Sequence, residues 1–260
     1  MTANDFFSIS GKKVLITGGT AGIGHGVASH FVKSGAEVVI TGRRETGEEI
    51  ANAIGANFVR MDVSDAASVA GAMREAAEIL GGTIDVLVLN AGTSPPSHGI
   101  DELKLQDLNQ IFDVNVFGIV YGMQEGQKYM KEGGSVIVTS SPAGTMHMHG
   151  LSIYGSSKAA VNALIRTWTI ELGSRGIRVN GVLPGVVETE MAFDPENLEA
   201  EMEMLGTFTA TGKTRTPEEL APVYRFLASS ASKTVSGAII ECDDGASAGY
   251  SNFLLGKAFG

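Results

Sequence analysis

Short apolar runs stand at 13–17, 37–41, 57–61, 85–90, 135–140, 177–182 and 238–242, and between them apolar residues recur every three or four positions. Runs this short, apolar without strict alternation, predict strands buried on both faces. The longer stretches predict helices at about 23–34, 47–54, 66–80, 101–131, 153–173 and 217–229. Strand and helix alternate almost throughout, which predicts a seven-stranded parallel sheet with right-handed crossovers and helices on both faces. No Pro- or Ser-rich linker divides residues 1–260, so a single α/β domain is expected. Thr216 followed by Pro217 and two glutamates reads as a helix start, with Thr216 as N-cap and Pro217 at the first helical position.

Residues 188–215 interrupt this alternation. They are acidic, Met-rich and irregular, and they follow a strand end, where α/β folds place their ligand crevice. A mobile lid over that crevice and a solvated surface insertion are both compatible with the pattern.

Thr17-Gly18-Gly19-Thr20-Ala21-Gly22-Ile23-Gly24 links the first strand to the first long helix. Glycines let the chain turn tightly and let backbone N–H groups approach a pyrophosphate, while the helix N-terminus adds partial positive charge. The spacing Gly18-x3-Gly22-x-Gly24 differs from the commonest dinucleotide fingerprint, but strand, loop and helix stand in the order that phosphate binding needs. The second strand ends at Gly42, Arg43 and Arg44. An acidic residue there would hold the ribose 2′-hydroxyl of NAD; Gly42 takes its place, and Arg43 favours the 2′-phosphate of NADP, with NAD as the alternative. Asp62, after the third strand, can accept from an adenine amino group, or belong with Ser64 and Asp65 to a helix cap.

Tyr154 and Lys158 stand four residues apart, on one face of the expected helix 153–173, and Ser141 lies thirteen residues upstream of Tyr154. A cation beside a phenol favours the phenolate, so Lys158 is expected to lower the Tyr154 pKa and make it a proton donor or acceptor nearer neutral pH. Each residue also has a plainer role: a half-buried aromatic, a solvated lysine, a turn-capping serine.

Composition narrows the partners. Lys+Arg total 19 against Asp+Glu 29, a net charge of −10 with no basic run, so nucleic acid is not expected. Cys242 is the only cysteine, which excludes an intrachain disulfide and a multi-cysteine metal site and fits a reducing, cytoplasmic compartment. No run of 18 apolar residues occurs and the first residues lack a signal-like pattern, so neither a membrane span nor export is expected. His147 and His149 lack an acidic or thiol partner at ligand spacing; a loop lining the substrate is expected there instead of a metal site. Met146, Met148, Met191, Met202 and Met204 fit either an adaptable apolar pocket or ordinary core. Trp168 reads as packing or interface.

Taken in order, the glycine loop, Asp62-Val63, Asn90-Ala91-Gly92, Asn115, Ser141, Tyr154-x3-Lys158 and Pro184-Gly185 followed by Thr189 resemble the classical short-chain dehydrogenase/reductase family over nearly the whole length. The resemblance implies a Rossmann-type doubly wound fold and an NAD(P)-dependent oxidoreductase acting on a small alcohol or carbonyl compound. By it, Tyr154 exchanges a proton with the substrate oxygen, Ser141 hydrogen-bonds that oxygen, and Lys158 lowers the tyrosine pKa and holds the nicotinamide ribose. Asn115 stabilises a kink and a water linking Lys158 to solvent. Gly18, Thr20, Gly22, Ile23, Gly24, Arg43, Asp62, Val63, Asn90, Ala91, Gly92, Pro184, Gly185, Val187 and Thr189 are the implied cofactor contacts, with Tyr154 and Lys158. A homotetramer is implied by analogy. Asp243-Asp244-Gly245-Ala246 departs from the usual Val-Asp-Gly-Gly-like segment, which bears on subunit contacts or the substrate pocket.

Two other readings stay open. A 3-oxoacyl carrier-protein reductase would meet an acidic carrier with local basic residues such as Lys128, Lys131, Arg166 and Arg175, against an unfavourable overall charge. A non-catalytic dinucleotide sensor would need the glycine loop but not Ser141, Tyr154 and Lys158. Substrate choice is expected to reside in 94–99, 147–153 and 188–215.

Overall fold

Along each central strand, successive residues enter opposite layers: Val14 and Ile16 pack with one buried cluster while Leu15 packs with the other, and Val86 and Val88 part from Leu87 and Leu89 in the same way. This two-residue period, apolar on both sides, is why these segments read as continuous apolar runs. The computed structural model describes residues 6–94, 99–191 and 198–259. Parts of the expected substrate segments, 95–98 and 192–197, therefore lie outside the described residues, as do the first five residues.

The strands are β1 (Lys13–Thr17), β2 (Glu37–Gly42), β3 (Asn57–Arg60), β4 (Ile84–Leu89), β5 (Met130–Thr139), β6 (Arg178–Pro184) and β7 (Ile239–Cys242). All pairings are parallel, in the order β3-β2-β1-β4-β5-β6-β7. The helices are α1 (Gly22–Lys33), α2 (Gly47–Ile54), α3 (Ala66–Ile79), α4 (Leu105–Phe112), α5 (Gly118–Gly126), α6 (Ser152–Leu172), α7 (Leu198–Gly206), α8 (Pro217–Ala228) and α9 (Asn252–Phe259). One layer of buried side chains, including Phe31, Ala51 and Tyr224, sits under α1, α2 and α8; the other, including Met73, Met123 and Ile165, sits under α3, α5 and α6. The chain runs outward from β1 to β3 and then returns to place β4 on the other side of β1. This reversal opens a crevice beyond the carboxyl ends of β1 and β4, where doubly wound sheets bind ligands.

One expected element is corrected. The single helix at 101–131 is instead a 3₁₀ turn at Ile100–Glu102, then α4, a π-helical turn at Asp113–Phe117, and α5. Asn115 causes an identifiable part of this: its side chain binds the backbone of Thr93 in both directions, holding the extra residue of the wider turn inward. The helix also ends early. Met130 already pairs with Ile84 at the start of β5, and Gly133 turns the chain with φ +74°. Glycine makes the close packing of α5 feasible, since a Cβ on Gly126 would stand 2.7 Å from a Leu87 methyl.

The start of α8 follows the sequence reading: Thr216 and Glu219 form a reciprocal capping box, with Pro217 at the first position. Asp65 caps α3 by accepting from the Ala67 N–H at 2.8 Å. The segment beginning at 188 is tied at its base, where Val187 bridges Arg215 and the Glu188 carboxylate accepts from Thr214. Arg215 continues this tie by a two-pronged pair with Asp244 at 2.6 and 2.7 Å. Asp244 has φ +53°, the only described non-glycine residue in the left-handed region, and there it grips the base of the insertion; it stands where the usual segment also has Asp, so the departure lies in its neighbours Asp243 and Ala246. Among the described residues no helix is long and apolar enough to cross a membrane.

Candidate active site

The glycine loop takes its shape from close approaches. Gly18 and Gly22 have φ of +67° and +52°, a backbone conformation that residues with a Cβ rarely adopt. A Cβ on Gly24 would lie 2.3 Å from the Gly18 carbonyl oxygen and 2.5 Å from the Asn90 amide nitrogen, so only glycine lets α1 start this near β4. The first turn of α1 has no side-chain cap and no acidic residue, which leaves its N-terminal charge uncompensated by the protein. Asn90 donates to the carbonyls of Thr17 and Gly18, both at 3.2 Å, and the Thr17 hydroxyl accepts from the N–H groups of Asn90 and Ala91. These bonds fasten the ends of β1 and β4 together beneath the loop.

A cleft of about 810 Å³ extends from this loop, within the range of small-molecule and cofactor sites. Gly18, Thr20, Gly22, Ile23, Arg43, Asp62 and Val63 line it from the loop and the segments after β2 and β3, Asn90, Ala91 and Gly92 from the end of β4, and Ser141, Tyr154, Lys158, Pro184, Gly185 and Val187 from the far side, with Thr189 lying against Gly22. Of the residues expected there, Gly24 and Asn115 do not line it. Gly24 supports the loop from behind, and Asn115, fully buried, donates to the Thr93 carbonyl at 2.8 Å and to the Ser157 hydroxyl at 3.3 Å. His147 and His149 are exposed and stand outside the cleft lining, contrary to the expected substrate-lining loop.

The donor set fits a dinucleotide. An uncapped helix N-terminus follows a loop whose glycines leave a cradle that side chains would fill, and the buried Thr41 hydroxyl borders the cleft with no protein partner. At the outer end, Arg43 faces the Asp62 carboxylate at 3.9 Å and Arg44 pairs with Glu190. Asp62 is held below the ordinary carboxylate range, first by the Ser64 hydroxyl that donates to it and further by the Ser64 N–H and Arg43.

At the inner end, Ser141 begins a short 3₁₀ turn, accepts from the Ala143 N–H and stands close enough to the Tyr154 phenol to favour its ionised form. Ser140 is committed elsewhere: it is buried and donates to the Asn162 side-chain amide oxygen at 2.7 Å. The Lys158 ammonium donates to the Thr139 carbonyl at 3.2 Å and sits 5.7 Å from the centre of the Tyr154 ring. The expected depression of the tyrosine pKa is corrected. Burial raises the Tyr154 phenol above its ordinary value, with the Ser141 hydrogen bond opposing it more weakly, and burial lowers Lys158 to about 8. Desolvation is the largest cause at both groups and acts against their charged forms.

Some contributors are not legible in the chain. Thr139 carries the lysine on its carbonyl, and its hydroxyl joins the Asn90 amide oxygen to the buried Tyr224 hydroxyl. Val114, Met191 and Leu205 add apolar lining from three separate segments, and Glu190 reaches Arg44 from 146 residues away. Of these, Glu190, Met191 and Leu205 carried a general signal by lying in 188–215, and Met191 a further one as one of several methionines suited to an adaptable pocket.

Comparison with known proteins agrees with this geometry. Residues 18–247 match the family model described as enoyl-(acyl carrier protein) reductase. An uncharacterised oxidoreductase of Methylorubrum extorquens is 36% identical over 245 residues, covering 91% of this chain and 98% of that protein. An NADP-dependent (R)-specific alcohol dehydrogenase of Lentilactobacillus kefiri is 34% identical over 247 residues, covering 91% and 97%. The structure of a short-chain dehydrogenase from Burkholderia cenocepacia in complex with NADP superposes with a TM-score of 0.84 at 30% identity, covering 92% of this chain and 99% of that one. Relatives aligned almost end to end and on the same fold make this chain an oxidoreductase of the classical short-chain dehydrogenase/reductase family.

Proposed function

We propose that this oxidoreductase interconverts a secondary alcohol and a ketone with NADP, and that Tyr154 carries the proton. The observation that supports this best is the convergence of Ser141, Tyr154 and Lys158 at one end of a cleft whose other end is the glycine loop. NADP bound there would supply or accept the hydride at its nicotinamide C4. Ser141 would orient the substrate oxygen by hydrogen bonding, and Tyr154 would donate the proton to that oxygen in the reduction. Its raised pKa keeps the phenol protonated at neutral pH, the form needed to donate. Lys158, charged below about pH 8, would stabilise the phenolate left behind. Asn115 would act through others, by holding the π turn against Thr93 and the Ser157 hydroxyl.

NADP is preferred over NAD because Gly42 leaves no carboxylate for a 2′-hydroxyl while Arg43 and Arg44 border the cleft. The NADP-dependent relative and the NADP-complexed structural neighbour support the same choice. An acyl-carrier substrate is disfavoured by the insertion, where Glu199 and Glu203 are exposed on α7 and would repel an acidic carrier. We take residues 188–215 as the lid of the substrate end, since Met191 and Leu205 already line it.

The test is turnover with NADPH and with NADH across a panel of neutral ketones, run in reverse with the alcohols. Faster turnover with NADPH on at least one ketone is expected; absence of turnover with either cofactor across a broad panel would overturn the enzymatic reading. A homotetramer is part of the proposal, supported by exposed apolar residues on the helices around the π turn and on α6, among them Leu105, Leu108, Phe117 and Ile170. Light scattering should give a mass about four times 27.1 kDa, whereas a monomeric mass would reject it.

A further inference from the structure

Arg44 leaves the end of β2 and Glu190 follows β6, yet their side chains meet in an ion pair, and both residues line the cofactor cleft. We propose that Glu190 is a cofactor-selectivity residue: it occupies the Arg44 guanidinium until a ligand bearing a 2′-phosphate displaces it. The proposal rests on the NADP reading above and deepens it.

Two of the ion pairs made by residues of the insertion differ in the way such a switch requires. Arg215 holds Asp244 through two bonds of 2.6 and 2.7 Å, and the Asp244 side chain is only 18% exposed, so this pair locks the base of the segment. The Arg44 and Glu190 side chains are 45% and 68% exposed. A pair in water gains little over its separated, solvated partners. A phosphate dianion offers a guanidinium more charge and more acceptor oxygens than a carboxylate, and the exchange leaves Glu190 free to be hydrated. Arg43 stands ready beside it, its Asp62 partner at 3.9 Å and beyond hydrogen-bonding distance.

The position of Glu190 links this exchange to the rest of the cleft. The preceding residue, Thr189, lies against Gly22, where a Cβ would come 3.1 Å from the threonine methyl. Glu190 therefore stands where the phosphate-binding loop meets the start of the insertion. A ligand without a 2′-phosphate has no group to take the arginine, and the pair stays closed over it. The carboxylate thus weakens 2′-phosphorylated ligands by the work of opening the pair, and leaves other adenosine ligands unaffected.

The test measures dissociation constants of adenosine 2′,5′-bisphosphate and of 5′-AMP by calorimetry on the full chain, for wild type, Glu190→Gln, Arg44→Gln and the double variant. Glu190→Gln should tighten the bisphosphate about threefold, the scale of an exposed ion pair, and leave 5′-AMP unchanged. Arg44→Gln should weaken the bisphosphate, and in its background Glu190→Gln should do nothing further. Raising the salt to about 0.5 M should erase most of the Glu190 effect, since exposed charges are then screened. If wild type prefers the bisphosphate but Glu190→Gln changes neither ligand, or both equally, the displacement idea is overturned while the NADP reading stands. If wild type shows no preference for the bisphosphate, the NADP reading falls and takes this proposal with it.

Discussion

Replacing Tyr154 by Phe is expected to lower kcat about 1,000-fold while the dissociation constant for NADPH changes by less than about threefold. The side chain is nearly identical in volume, so the cleft keeps its shape, and what disappears is the hydroxyl that meets Ser141. A protonated phenol in a buried site is a poor acid in the ground state. Its proton becomes transferable when negative charge grows on an oxygen held close to it, and no neighbouring side chain duplicates that geometry: Ser140 is spent on Asn162, and His147 and His149 are exposed away from the cleft. Stopped-flow reduction with NADPH, paired with nucleotide fluorescence titration, separates the two quantities. Turnover within tenfold of wild type would show that another group supplies the proton. Loss of cofactor binding in parallel would instead assign Tyr154 a structural role.

Lys158→Met should abolish turnover and at the same time make the protein more stable at neutral pH. Burial lowers the lysine from its ordinary value of 10.5 to about 8. Below about pH 8 the group is charged in both states, and folding must bury that charge. Between about 8 and 10.5 the unfolded chain binds a proton that the native protein does not, so the free energy of unfolding rises with pH through this window; above it both forms are neutral. Methionine removes the charge and keeps most of the apolar stem. The variant should gain on the order of 2 kcal/mol at pH 7, less than the full shift implies because the bond to the Thr139 carbonyl is also lost. Urea denaturation at pH 7 and pH 10 checks this. The advantage should shrink at the higher pH, and an advantage that is absent at pH 7, or constant between the two, would show that the native site does not penalise the lysine's charge. Such a trade of stability for activity is usual where a functional charge is held in a dry site.

The strands and most helices are legible because burial on both faces leaves a direct mark on residue type, and because Thr216 and Pro217 announce a helix by local chemistry. The region 101–131 is legible only in part: the resemblance implies a kink at Asn115, but a π turn leaves the apolar spacing almost helical while shifting every later residue by part of a turn. What breaks the helix is the bond of Asn115 to the backbone of Thr93, 22 residues earlier in the chain. The electrostatics at Tyr154 differ from the sequence expectation for a related reason. The neighbour four residues on is visible in the sequence, whereas the depth at which both groups lie is not, and depth decides the direction of both shifts.

By itself the sequence determined the alternation of strand and helix, the glycine loop at the first turn, the order of the family's motifs and the choice of acid, hydroxyl and cation, because each rests on local geometry or on residue type. Only the tertiary structure decided how deeply Tyr154 and Lys158 are buried, that Thr139 and Tyr224 support the site, and that Asp244 grips Arg215 while Glu190 reaches Arg44. Contacts between residues far apart in the chain depend on how the sheet brings strand ends together, and they set the burial and pairing on which the chemistry of those charged groups depends.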